Sequence, residues 1–243
     1  MSGTPTWVHI LVDVPHEQWA RSVEFWCAAT DGAPSPPWGD ADQHLTIVPR
    51  EGDGWVHLQA VDGKPRVRVG LDSADREAAQ GRSVSLGAQT EWVRDEATAM
   101  RSPGGLVFCH SNGGPGEMVR SDPERVLDQV CIDIPAPLWS TEVEFWRRLT
   151  GRELESGRRA EFAFLGTEGE VRLLLQRLDE SDGPVRAHLD FAVADRAAET
   201  SRHEELGAET VEVFDWWTVM RAPDGHVYCL TERDPATGDV RGR

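Results

Sequence analysis

"APDGHVYCL" (residues 222–230) and "SPGGLVFCH" (residues 102–110) share one design. In each, a Pro-x-Gly turn runs into an alternating apolar segment that carries a cysteine. They stand 120 residues apart (222 − 102), and at that offset the chain overlays itself. "VEFW" at 23–26 meets "VEFW" at 143–146, "LGA" at 86–88 meets "LGA" at 206–208, and Asp75-Arg76 meets Asp195-Arg196. A period this long marks a duplicated domain, since solenoid units run to about 20–50 residues.

Each copy divides again. "WVHILVDV" (7–14) alternates as a strand does. "HEQWARSVEFWCAAT" (16–30) sets Trp19, Val23, Trp26 and Thr30 on one helical face. Short strands are expected at 44–49 and 55–61. A strand at 66–73, a helix over 74–88 closed by Gly87, and strands at 89–93, 96–102 and 105–111 complete the copy. The second copy repeats the order. Its strands are expected at 128–134, 160–166, 171–178, 186–193, 209–214, 216–222 and 225–231, and its helices at 136–150 and 195–208, the latter capped by Asp195. The fold class is therefore α+β: four βαβββ modules forming two tandem domains. Domain 1 is placed at 1–115, a Gly- and Pro-rich linker at 116–124, and domain 2 at 125–243.

Composition narrows the partners. The 243 residues are 39% hydrophobic, enough for packed cores. A formal net charge of −17 repels phosphate backbones and anionic lipid, so neither nucleic acid nor membrane is expected as a partner. No signal peptide or 18-residue apolar run is visible, and the expected location is cytoplasmic. The four cysteines lack CxxC spacing and read as free thiols. Ten tryptophans stand against one tyrosine; several indoles are expected in the cores, and a solvent-facing cluster would suit a flat organic ligand.

The repeat, the "FW" helices, "RAHLDFAV", "LGA" and "WWTVMRAPDGHVYCL" together resemble the glyoxalase/bleomycin-resistance/extradiol-dioxygenase (vicinal oxygen chelate) superfamily, in its glyoxalase-like branch. The resemblance spans residues 7–232. It implies paired modules whose curved mixed sheets enclose clefts, with ligands in the first and last strands of each module. Carried onto this sequence, those places are His9, Gln59, Arg68 and Cys109 in the first copy and Gln129, Gln176, His188 and Cys229 in the second. Strand alternation adds Trp7, Trp55, His57, Gly70 and Val107 to the first face, and Cys131, Arg172, Asp190 and Val227 to the second.

Arg68 stands where a metal ligand is wanted, and a guanidinium has no lone pair to give. Both cysteines stand where metal-using relatives have a glutamate. No cofactor or catalytic metal is therefore expected; if one binds, the resemblance assigns it to His188, Cys229, Gln129 and Gln176. His188 and Asp190, two apart on one strand, are candidates for an acid–base pair.

Three functions fit. The leading one is a binding protein whose hydrophobic, Trp-lined clefts hold a natural product or drug. The alternatives are a metal-free isomerase, cyclase or lyase acting on an oxygenated small molecule, and a metal-dependent lyase or dioxygenase. The differing constellations suggest different ligands for the two copies, or one silent site. Fusion of the copies supplies domain pairing internally, which fits a monomer or a homodimer.

Overall fold

The structure, a computed structural model, describes residues 3–166 and 171–240. The first copy runs β1 (Trp7–Pro15), α1 (Trp19–Thr30), β2 (Ala33–Pro34), β3 (His44–Val48), β4 (Val56–Val61), β5 (Arg66–Ser73), α2 (Arg76–Ser85), β6 (Gln89–Val93), β7 (Ala97–Arg101) and β8 (Val107–Asn112). The second runs β9 (Arg125–Pro135), α3 (Trp139–Thr150), β10 (Leu154–Ser156), β11 (Phe162–Leu165), β12 (Arg172–Leu178), β13 (Arg186–Val193), α4 (Arg196–Glu205), β14 (Glu209–Val213), β15 (Trp217–Arg221) and β16 (Val227–Thr231). The expected βαβββ order holds four times. The short strands β2 and β10 carry no alternation and were not foreseen. Helices α1 and α3 begin three residues late, because His16–Gln18 and Ala136–Leu138 form single 3₁₀ turns.

Each copy builds one mixed eight-stranded sheet, in the orders β2-β3-β4-β1-β5-β8-β7-β6 and β10-β11-β12-β9-β13-β16-β15-β14. The parallel pair at the centre sets the site. Gly70 on β5 registers with Cys109 on β8, and Asp190 on β13 registers with Cys229 on β16. Asp75 and Asp195 cap α2 and α4 by accepting the backbone N–H of Ala78 and Ala198. Gly105 and Gly225 take φ of +103° and +91°, the left-handed turn that the Pro-x-Gly signature requires.

The chain forms two compact units, and each draws on both copies. One comprises Leu11–Val67, Met118–Gln129 and His188–Arg243; the other comprises Met1–Ile10, Arg68–Glu117 and Val130–Ala187. In the first unit, Phe25 and Trp26 of α1 pack on Tyr228 of β16, with Trp26 5.5 Å from it centroid to centroid. In the second, Phe145 and Trp146 of α3 pack on Phe108 of β8 at 5.8 and 5.2 Å. The buried stripe of α1 is Ser22, Phe25, Trp26 and Ala29, rotated from the expected one. Trp19, Val23 and Thr30 are only half-buried.

A fully buried indole needs an acceptor for its N–H. Trp26 Nε1 donates to Asp224 Oδ2 at 2.9 Å, and Trp146 Nε1 donates to Glu142 Oε2 at 2.9 Å. The other oxygen of each carboxylate takes a backbone N–H from the Pro-x-Gly turn: His226 N at 3.1 Å and Gly104 N at 2.6 Å. Under the 120-residue offset Asp224 corresponds to Gly104, and Glu142 to Ser22. One carboxylate per lock is kept, moved from the turn to the helix. A side chain at 104 has no room, since a Cβ there would lie 2.4 Å from Val185 Cγ2 and 2.9 Å from Glu142 Oε1. Among the described residues, no helix is long and apolar enough to cross a membrane.

Burial opposes ionisation of Asp224, but bonds from His226 and Trp26 outweigh it and hold the carboxyl down at about 2. A depressed carboxylate stabilises the fold above its unfolded pKa and loses that contribution as pH falls through the folded one. Asp224→Ala should therefore cost about 2 kcal/mol at pH 7. Its denaturant midpoint should converge with that of the wild type between about pH 4 and pH 2. A difference independent of pH would contradict the ionised lock.

Candidate functional site

In the second copy, strand geometry gathers three donor groups. His188 and Asp190 alternate onto one face of β13, and the parallel register brings Cys229 alongside Asp190. The imidazole nitrogens, carboxylate oxygens and sulfur each offer an atom within 4.8 Å of the others. Asp190 is held firmly: Gln129 Nε2 on β9 donates to its Oδ2 at 2.6 Å. Its Oδ1 is buried and accepts no hydrogen bond, and His188 Nε2 lies 3.3 Å from it. His188 keeps a 16% exposed side chain, whereas Asp190 keeps 4%. Beneath Gln129, Asp128 is fully buried between Arg233 and Arg120. Burial opposes its charge, but the two guanidiniums hold its carboxyl below the ordinary range.

Two further second-copy candidates, Cys131 and Gln176, partner each other. Cys131 donates its thiol to Gln176 Oε1 at 3.4 Å and lies 3.9 Å from Asp133 Oδ1.

The first copy carries different chemistry on the equivalent places. Arg68 Nη1 points at Cys109 Sγ, 2.8 Å away, and both residues are buried. His9 Nε2 meets Asp72 Oδ2 at 2.8 Å, and Ser111 Oγ donates to Asp72 Oδ1 at 2.6 Å. Asp72 and Ser111 were not foreseen, although Asp72 follows Gly70 by the same two-residue step that links Gly70 to Arg68. Trp7 is buried with its ring edge-on to His9 at 6.1 Å. Trp55 is buried and donates its indole N–H to the Leu127 carbonyl at 2.8 Å. His57 Nδ1 pairs with Thr46 Oγ1 at 2.8 Å, with Trp38 edge-on to it. Gln59 is half-buried opposite His44.

The two copies differ as metal hosts. An imidazole, a carboxylate oxygen without a donor and a thiol within 4.8 Å suit a divalent cation of the zinc or iron kind. In the first copy a permanent cation rests on the sulfur, and that donor set does not fit.

The family described as a glyoxalase-like domain matches this chain twice, over residues 9–111 and 129–231. No curated protein matches the sequence. The Mn(II)-bound glyoxalase of Novosphingobium aromaticivorans is similar in structure, with TM-score 0.64 and 16% identity over 99% of this chain and 85% of that one. Homoprotocatechuate 2,3-dioxygenase of Arthrobacter globiformis gives 0.64 and 13%, over 95% and 80%. The 2,2',3-trihydroxybiphenyl 1,2-dioxygenase of Sphingomonas wittichii gives 0.59 and 10%, over 95% and 90%. At these identities the likeness is one of fold.

Gln129 is a sensitive position in the second site. Gln129→Ala leaves Asp190 with both buried oxygens short of a donor and should cost about 1–3 kcal/mol in denaturant unfolding. Gln129→Glu sets a second carboxylate against Asp190 and should cost more. Equal stability of both variants with the wild type would show that the amide does not hold Asp190.

Proposed function

This chain belongs to the glyoxalase-like domain family, and on that premise we propose that its second copy binds a small oxygenated organic molecule, with His188 as the proton-handling group. One observation carries the reading. Gln129 fixes one oxygen of Asp190, and the other stands 3.3 Å from His188 Nε2. A carboxylate held in that way orients the imidazole and stabilises its protonated form. An imidazole is the side chain best matched to proton transfer near neutral pH. Isomerisation, ring closure or elimination beside a carbonyl needs such a transfer. A ligand without a labile proton would be bound and released unchanged. Because Asp190 is buried and His188 is partly exposed, His188 is the member of the pair that meets the ligand.

A second reading is favoured by Asp190 Oδ1, which is buried without a hydrogen bond. Here His188 Nε2, Asp190 Oδ1 and Cys229 Sγ would hold a divalent cation, which would supply Lewis-acid polarisation of ligand oxygens. Gln129 would then orient Asp190 as an outer partner.

Plasma mass spectrometry on protein purified without chelator separates the two. Less than about a tenth of an equivalent of zinc, iron, manganese or nickel is expected from the proton-transfer reading. About one equivalent, lost in His188→Ala, would replace it with the metal reading. On any substrate found by screening oxygenated aromatics and ketones, His188→Ala should lower kcat about 100-fold or more with KM little changed. Full turnover by that variant would remove His188 from the reaction.

A further inference from the structure

The "WW" pair at 216–217 has no part in the function proposed so far. Trp217 opens β15, and its ring stacks on Phe214 with centroids 4.8 Å apart and planes at 24°. Phe214 is 36% exposed and Trp217 is half-buried. Strand pairing fixes the side on which Trp217 stands. Val219 registers with Cys229, and Trp217 registers with Thr231, two residues further along β16. Directly paired residues share a face. Trp217 and Val219 therefore lie on the same side of the sheet as Cys229, Asp190 and His188. Val227, 41% exposed, lies on that side too. An apolar strip leads from the stacked rings to the proposed site.

The turn that carries the rings forms equally well without them. In the first copy Arg94 N donates to the Ala97 carbonyl at 2.9 Å, as Phe214 N donates to the Trp217 carbonyl at 2.9 Å. An arginine at the start of the preceding helix braces each turn: Arg76 reaches the Asp95 carbonyl at 2.6 Å, and Arg196 reaches the Asp215 carbonyl at 3.0 Å. Under the 120-residue offset, Phe214 and Trp217 correspond to Arg94 and Ala97. Arg94 lies over the Trp92 ring instead, 4.7 Å from its centroid. The aromatic pair is thus surplus to the turn, and it occurs in the copy that holds His188, Asp190 and Cys229. Apolar surface left exposed beside polar groups is the composition of a ligand site.

We propose that Trp217, backed by Phe214, is the platform on which an aromatic ring of the second-copy ligand stacks. The placing of that ligand's reacting end rests on the reading of His188 given above; the platform does not. From Trp217 to His188 the sheet spans two strand spacings, about 10 Å, and four residues along the strands, about 13 Å. One benzene ring does not bridge that span. The ligand is therefore elongated, with two or three fused or linked rings and a carbonyl or phenol oxygen at the His188 end. A formal net charge of −17 favours an uncharged ligand over an anionic one.

6-Hydroxyflavone, an elongated uncharged phenol with a conjugated ketone, is the probe, and 4-hydroxyacetophenone is its one-ring counterpart. Full-length protein is labelled with 5-fluorotryptophan, and the Trp217 fluorine signal is identified by its absence from Trp217→Phe. 6-Hydroxyflavone should move that signal saturably, with an affinity about tenfold or more above that of 4-hydroxyacetophenone. Trp217→Leu should weaken binding about fivefold, and Trp217→Phe, which keeps a ring against Phe214, should weaken it less. His188→Ala should keep the Trp217 shift. That shift, together with full turnover by His188→Ala of any substrate found, would remove His188 from the reaction and leave the platform standing. A wild-type Trp217 signal that does not move, or equal affinity in the wild type and Trp217→Leu, would overturn the platform whatever His188 does. The wild-type titration stands even if the leucine variant fails to fold.

Discussion

The buried indole of each "FW" helix is the constraint on which the rest is arranged. Trp26 and Trp146 are fully enclosed, so each N–H must find an acceptor inside the protein. The acceptor also holds the Pro-x-Gly turn, so one carboxylate fixes a helix against the turn that feeds a site strand. In one unit that tie joins residues 198 positions apart, Trp26 and Asp224. In the other the carboxylate sits on the helix, four residues before its indole, and reaches Gly104. The cost of burial differs accordingly. Burial pushes the Glu142 carboxyl up, against bonds from Gly104, Ser102 and Trp146 that pull it down. Asp224 gains His226 as an additional partner and stays low.

With β8 and β16 fixed by these turns, the two cysteines take equivalent places, and their neighbours decide what they can do. A free thiol, with a pKa of about 8.5, is mostly protonated near neutral pH, and local charge shifts that balance. Cys109 has the Arg68 guanidinium beside its sulfur. Around Cys229 the group is an imidazole and a carboxylate, a set that can share a proton or a cation but gives the thiolate no fixed positive charge. Duplication kept the backbone register and exchanged one side chain for another of opposite capacity.

Module order, both long helices, the caps and the cysteine strands were legible in the sequence because each rests on a local rule: alternation, helical spacing, a capping Asp or a left-handed Gly. The short edge strands β2 and β10 were not, since two or three residues carry no period. The His188–Asp190 pairing was legible for the same reason as the strands, being two residues on one strand. The roles of Gln129, Asp72 and Ser111 were not, because they depend on which strands become neighbours. Trp55 shows the limit from the other side. Alternation places it on the candidate face, but its indole is committed to the Leu127 carbonyl. A Trp-rich composition therefore overstates how many rings a ligand could meet.

Histidine partners sharpen the same point. His110 is buried against Ser83, and burial pushes its imidazole down to about 4, so it stays neutral and structural. His203 bridges Tyr228 and Glu199 in the core; burial lowers its pKa despite the carboxylate. His226 serves the Trp26 lock. A carboxylate partner alone thus does not mark a working histidine, since His203 and His226 both have one. Proton exchange with a ligand also requires access, and His9 and His188 combine a carboxylate partner with side chains about one-sixth exposed. They lie in different copies, on β1 and β13. What separates the copies is the third group: a guanidinium-paired sulfur beside one, and a sulfur facing a carboxylate beside the other.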